Sequence, residues 1–218
     1  FKEEHLKRML WLIAPVLIGV AVNQINTMVD RTIASTLVEG SISALNYATK
    51  LNQFVMGMFI VSISSVIYPV LSRLSSENNK EKFNESIVRS INTVILLIIP
   101  ISVGAIILAN PIVKILFQRG EFDARATQMT AVALTFYSIG MLGYGLRDIL
   151  GKVFYSLQDT KTPMINGVIA MSLNIILNIS FVKFTNMQLA GLAFATSISS
   201  LVTITLLFFS LRRKIGNF

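Results

Sequence analysis

The chain has no cysteine and a single histidine among its 218 residues. Disulfides, thiol nucleophiles and Cys-ligated metals are thereby excluded. The lone histidine, His5, sits in a charged lead-in. No Ser/His/Asp set, metal-ligand cluster or phosphate-cradling Gly loop accompanies it. The chain therefore reads as a transporter or scaffold rather than an enzyme, with no organic cofactor. Charge is scarce too. Only 14% of residues are charged while 53% are hydrophobic, against about 25% charged in a soluble domain. A water-soluble chain this short could not hide so much apolar surface, and lipid is its natural solvent.

What the chain does have is long uncharged runs. Six windows contain no Asp, Glu, Lys or Arg: Met9–Val29, Leu51–Leu71, Ser90–Val113, Ala126–Leu146, Thr162–Val182 and Phe184–Leu211. Crossing about 30 Å of hydrocarbon takes roughly 20 helical residues. The dyad alternation of a β-barrel is missing. The expected fold is all-α: a polytopic transmembrane bundle of six helices, forming a single membrane domain over residues 1–218. The first run is too long for a cleavable signal peptide and lacks a small-residue cleavage site.

The net charge of +8 is a topology signal, because Lys and Arg favour cytoplasmic loops. With the N-terminus inside, the inner segments carry Lys2, Lys7, Arg8, Arg73, Lys80, Lys82, Arg89, Lys152, Lys161, Arg212, Arg213 and Lys214. The outer segments carry Lys114, Arg119, Arg125 and Lys183. Both termini are therefore expected in the cytoplasm. The cations are accounted for by the membrane surface, which leaves no case for nucleic acid.

The expected helices run over about Met9–Leu37, Ala44–Leu71, Ser90–Ala109, Ala126–Phe154, Pro163–Val182 and Gln188–Leu211. Pro15 and Pro100 are expected bends. In the polar stretch Ser72–Arg89, Phe83, Ile87 and Val88 recur at helical spacing, as in a segment lying on the membrane surface. Asn110–Arg125 reads as an interfacial turn closed by Arg119-Gly120. Gly140, Gly143 and Gly145, with Gly191 and Ala195, could let helices approach closely.

Polar groups inside apolar runs carry the functional signal, since each is costly in lipid. Asn23, Thr27 and Asp30 share one face of the first helix at i, i+4, i+7. Arg31 and Lys50 flank one short outer turn, so they either point into a shared cavity, where they would attract a phosphate, or snorkel to the headgroups. Asn174 and Asn178 share a face of the fifth helix, and Thr196 follows in the sixth. With Asp30 they could form an oxygen cage for Na⁺, or simply bond helix to helix. Arg147 and Asp148 read as an interfacial ion pair or as an inner gate.

Three segments resemble the MurJ/MviN family: Phe154-Tyr155-Ser156-Leu157-Gln158-Asp159-Thr160-Lys161-Thr162-Pro163, Leu116-Phe117-Gln118-Arg119-Gly120-Glu121-Phe122 and Asn46-Tyr47-Ala48-Thr49-Lys50-Leu51. The likeness extends over essentially the whole chain. It implies a bacterial cytoplasmic-membrane lipid II flippase of the MOP exporter superfamily. Such a protein moves an undecaprenyl-pyrophosphate-linked peptidoglycan precursor by alternating access. It also implies about fourteen helices in two lobes, with this chain resembling helices seven to twelve. The other lobe and the last two helices would then be partners, along with membrane lipids. The coupling ion would be Na⁺ or H⁺. The family usually carries Arg where Lys50 stands, and Lys keeps the charge but loses the bidentate fork. Two other readings stay open. One is a related polysaccharide-lipid flippase or multidrug/cation antiporter. The other is a non-transporting scaffold with a packed, dry centre.

Overall fold

The structure, a computed structural model, describes residues 2–216, with side chains from Ile13 onward. The side chains of His5, Lys2, Lys7 and Arg8 lie outside the described residues. The helices are α1 (Lys2–Ala34), α2 (Ser41–Val55), α3 (Val61–Ser76), α4 (Lys80–Ile107), α5 (Ala109–Phe117), α6 (Ala124–Ile139), α7 (Met141–Ser156), α8 (Lys161–Phe184) and α9 (Gln188–Ile215). A single π-helical turn, Met56–Ile60, joins α2 to α3. The described residues contain no strand.

Five stretches are long and apolar enough to span a membrane: Ile13–Ala34, Ser41–Ser76, Lys80–Ile107, Lys161–Phe184 and Gln188–Ile215. A sixth is bent, α6 and α7 meeting at 47°. The expected uninterrupted fourth helix is therefore corrected to a broken one. The physical reason lies in its neighbours. α9 presses so closely that a Cβ on Gly140 would lie 2.6 Å from Ser197 Cα, and one on Gly143 would lie 2.5 Å from Ser200 Oγ. Carbonyls around the break find donors on other helices. Ser197 Oγ donates to Phe136 O at 2.6 Å, Ser102 Oγ to Ser138 O at 2.8 Å, and Ser200 Oγ to Gly140 O at 3.1 Å. A break at membrane depth is tolerated when its backbone groups are satisfied in this way.

Two further expectations are corrected. Ser72–Arg89 is not a separate helix lying apart from the bundle, although Val88 is exposed as expected. α3 continues to Ser76, Asn79 caps α4 by accepting from Lys82 N at 3.2 Å, and α4 starts at Lys80. Phe83 and Ile87 are 5% and 0% exposed, because they pack into the protein core. Asn110–Arg125 is not merely a turn: it holds most of α5, which ends at Phe117, with the left-handed Gly120 three residues beyond.

Two apolar clusters hold the bundle. One joins Ile60, Leu71, Ile87, Val94, Leu150, Phe154 and Leu211 across α3, α4, α7 and α9. The other is built from small residues, including Ala44, Ala48, Ala131, Ala133 and Ala193, where α2, α6 and α9 meet. Met28, Val66, Leu96, Ile107 and Phe184 face outward, which in lipid costs nothing.

Candidate functional site

A cavity of about 970 Å³ runs along one side of the bundle. α1, α2, α7, α8 and α9 supply its walls. It brings together all eight residues singled out from the sequence: Asp30, Arg31, Lys50, Arg147, Asp148, Asn174 and Thr196 line it directly, and Asn178 lies just behind Asp30.

The polar face of α1 meets the polar face of α8. Asn178 Nδ2 donates to Asp30 Oδ1 at 2.6 Å, and Asn26 Nδ2 approaches Asp30 Oδ2 at 3.4 Å. Asn178 Nδ2 also donates to Asn174 Oδ1 at 3.0 Å, and Asn174 Nδ2 to Thr196 Oγ1 at 3.3 Å. The Asn174 amide has a second workable orientation. Turned over, it donates to Asp30 Oδ1 at 3.2 Å and Asn26 Oδ1 at 3.0 Å, and accepts from Thr196 N at 3.2 Å. Either way one network joins α1, α8 and α9. Asn178 is fully buried, yet its Oδ1 has no partner. Such an orphan acceptor is costly, and it lies in the same side chain that bonds Asp30. Asn26 is visible in the sequence as a polar residue of α1, but its place beside Asp30 follows from the packing.

Among the described residues, ion pairs within 4 Å join Arg73 to Glu77 and Lys214 to Asp159. Asp30 therefore does not neutralise Arg31 by direct contact. Lys50 lies exposed at the cavity, its Nζ 5.7 Å from the centre of the Tyr47 ring. Tyr47 in turn packs on Phe117 at 4.8 Å and on Phe122 at 5.1 Å. Two segments remote in sequence thus meet behind the Lys50 ammonium.

The reading of Arg147 and Asp148 as an ion pair is corrected. Asp148 Oδ2 accepts from the Ser64 hydroxyl on α3, while Arg147 is exposed at the cavity. Adjacent helical residues point about 100° apart, which separates the two side chains. No local pattern marks Ser64 as the partner. Tyr137 and Tyr144 also line the cavity, and their aromatic character reads equally as core.

Beyond the spans, Asp159 accepts from Thr162 N at 3.0 Å and from Thr162 Oγ1 at 2.8 Å, closing the first turn of α8. Lys214 at the end of α9 bonds it at 2.5 Å. Burial pushes the Asp159 carboxyl up, but these hydrogen bonds and the ammonium outweigh it and hold the group below the usual carboxylate range.

A helical bundle with one broken span, and a cavity lined by charged, amide and apolar side chains, defines a polytopic membrane fold. An outward-facing multidrug resistance MATE family transporter of the MOP superfamily shares it, with a TM-score of 0.84 at 19% identity, over 95% of this chain and 45% of that one. The narrower placement comes from sequence: the family "Lipid II flippase MurJ" matches residues 1–218, and the chain belongs to that family. A solved lipid II flippase MurJ in an inward closed conformation is 32% identical with a TM-score of 0.81, over 98% of this chain and 46% of that one. The probable lipid II flippase MurJ of Vibrio cholerae is 39% identical over 208 residues, which is 95% of this chain and 39% of that protein. Its counterpart in Haemophilus influenzae is 35% identical, over 95% of this chain and 41% of that protein. The chain thus spans about two fifths of the length of these curated relatives.

Proposed function

We propose that this chain forms one lobe of a lipid II flippase in the bacterial cytoplasmic membrane, with both termini on the cytoplasmic side. The other lobe and the last two helices of the family architecture would be its partners. The observation that carries this is the single cavity containing Arg31 and Lys50 together with the Asp30 network, in a chain of this family. Two cations at one cavity would draw the pyrophosphate of an undecaprenyl-linked precursor. The Tyr47 ring lies against Lys50 and restricts where the ammonium can sit. That partly compensates for the missing fork of an arginine.

Asp30, Asn174, Asn178 and Thr196 would supply oxygens to a coupling Na⁺ once the Asn178 amide, whose Nδ2 faces Asp30 in this structure, turns its unpartnered Oδ1 inward. The ion would supply positive charge to the half-buried carboxylate. Proton coupling at Asp30 is the alternative. At the far end of the cavity, Arg147 and Asp148 would serve as an inner gate, with Asp148 anchored to α3 through Ser64 and Arg147 left to close against the other lobe. No step calls for catalysis or an organic cofactor. A scaffold would have a packed, dry centre with Asp30 and Lys50 tied to each other or to lipid headgroups. The cavity and the Asp30–Asn178 bond argue against it.

The test is growth complementation by the full-length gene in a bacterium depleted of its own flippase. Wild type is expected to restore growth, and Lys50→Ala to reach the membrane without restoring it. Rescue by Lys50→Ala would remove the cavity assignment. Failure of wild type would favour a related polysaccharide-lipid or drug exporter of the same superfamily.

A further inference from the structure

The cavity has a second cationic end, to which the proposed function gives no anion-binding role. On α7, Arg147 and Lys152 both line it, beside Tyr155. Neither is among the described ion pairs. The one carboxylate next to them, Asp148, is bonded to Ser64. Four residues further along each of the same two helices, Lys152 Nζ stands 5.9 Å from the centre of the Tyr68 ring. The α3–α7 seam therefore occupies the acid and steadies the lysine, while leaving two positive charges facing the cavity.

This end is well separated from the first. Lys50 and Tyr68 lie on one continuous span, Ser41–Ser76, roughly 27 Å apart at about 1.5 Å per residue. A single pyrophosphate cannot touch both ends at once. We infer that Arg147 and Lys152 form a second subsite for a phosphoryl anion, at the opposite end of the cavity from Lys50 and Arg31. It rests on the flippase reading and extends it: the anionic headgroup would occupy the two ends in succession. Arg147 suits such a ligand because its planar fork matches phosphate oxygens, while Lys152 adds a point charge.

The experiment uses the full-length protein in nanodiscs of zwitterionic lipid, titrated with inorganic pyrophosphate in a calorimeter. Wild type is expected to show two sites. Arg147→Gln/Lys152→Gln should weaken one by about tenfold or more, as loss of a charge-assisted hydrogen bond does. Lys50→Gln should weaken the other. The charge-keeping pair Arg147→Lys/Lys152→Arg should retain both, and its loss of binding would mean that the two side chains serve packing instead, overturning the subsite. Unchanged binding in the Gln pair also overturns it. If Lys50→Gln is unchanged as well, the anion-carrying cavity itself fails. If pyrophosphate binding is intact but the Gln pair loses association with phosphatidylglycerol added to the discs, the site serves bulk lipid headgroups and the proposal falls. Lost transport in the Gln pair with unchanged pyrophosphate binding would leave the two residues as a gate alone.

Discussion

α1 and α7 border the same cavity but are held in different ways. α7 is clamped on three sides by apolar packing: Ile149, Leu150, Val153 and Phe154 are fully buried against α3, α4 and α9. α1 leans mainly on α8, and much of its surface faces outward, with Leu17 62% and Met28 69% exposed. Its polar tie to α8 is the bond from Asn178 to Asp30, with Asn26 bracing Asp30 from within α1. In lipid, apolar contact between a helix and its neighbours has little advantage over contact with the acyl chains. The α1–α8 seam differs in that its interhelical hydrogen bond ends on the Asp30 carboxylate, whereas α7 adds the Ser64–Asp148 bond to its apolar packing. Neutralising Asp30 is therefore expected to loosen α1 and to leave α7 in place.

Four changes would break or sharpen this contrast. The largest effect is expected from Gly143→Val, since even a Cβ there would lie 2.5 Å from Ser200 Oγ. Overpacking of this kind costs about 1–3 kcal/mol, so the melting midpoint in detergent should fall well below wild type. A midpoint unchanged from wild type would mean that α7 is not clamped.

Asn178→Ala should be milder, about 1 kcal/mol, as expected for an interhelical hydrogen bond in a membrane. Its diagnostic is location. Hydrogen exchange should rise along α1 and leave α4 and α7 protected. Na⁺ should protect α1 in wild type and not in Asn178→Ala or Asp30→Ala. Equal protection in Na⁺ and K⁺ would turn the coupling ion toward H⁺.

Ser197→Ala removes one donor to the α6–α7 break, the bond to Phe136 O. About 0.6 kcal/mol is expected, with the fold kept, because Ser102 and Ser200 still satisfy their carbonyls. A double change with Ser200→Ala should cost more than the sum of the two if the break is a cooperative unit, as a double-mutant cycle would show.

The smallest effect is expected at the α8–α9 end. Lys214→Ala removes an exposed ion pair worth about 0.2–1 kcal/mol. Asp159 is held below its ordinary value in the folded state, so its contribution is fully present above the unfolded carboxylate value, about 3.9. It is lost as pH falls through the lower folded value. Wild type and Asp159→Asn should therefore differ in stability at neutral pH and converge under strong acid. A gap that widened on acidification would contradict the assignment.

Run length and polar placement make much of this molecule legible in its sequence. The spans follow from uncharged windows, because only a helix satisfies its own backbone in lipid. That Asn174 and Asn178 share a face follows from helical spacing, and that Asp30 needs a polar partner follows from the cost of a carboxylate in hydrocarbon. Other features stay hidden there. The Gly140 break lies inside a long uncharged run, and Gly is ordinary in membrane helices. Only the approach of α9 makes it a break. Phe83 and Ile87 have the same spacing in a surface helix as in a buried one. The pairing of Asp148 with Ser64 spans 84 positions, which no local pattern reports.

The sequence by itself determined that this chain lives in lipid, that it is helical, and that Asp30, Arg31 and Lys50 need polar surroundings. These follow from transfer free energies, which are properties of single residues and short runs. The tertiary structure decided which polar groups share one cavity, that Asp30 bonds Asn178 rather than Arg31, and that Arg147 is left facing that cavity. Those depend on which helix faces meet, which is fixed by close packing among all the helices at once.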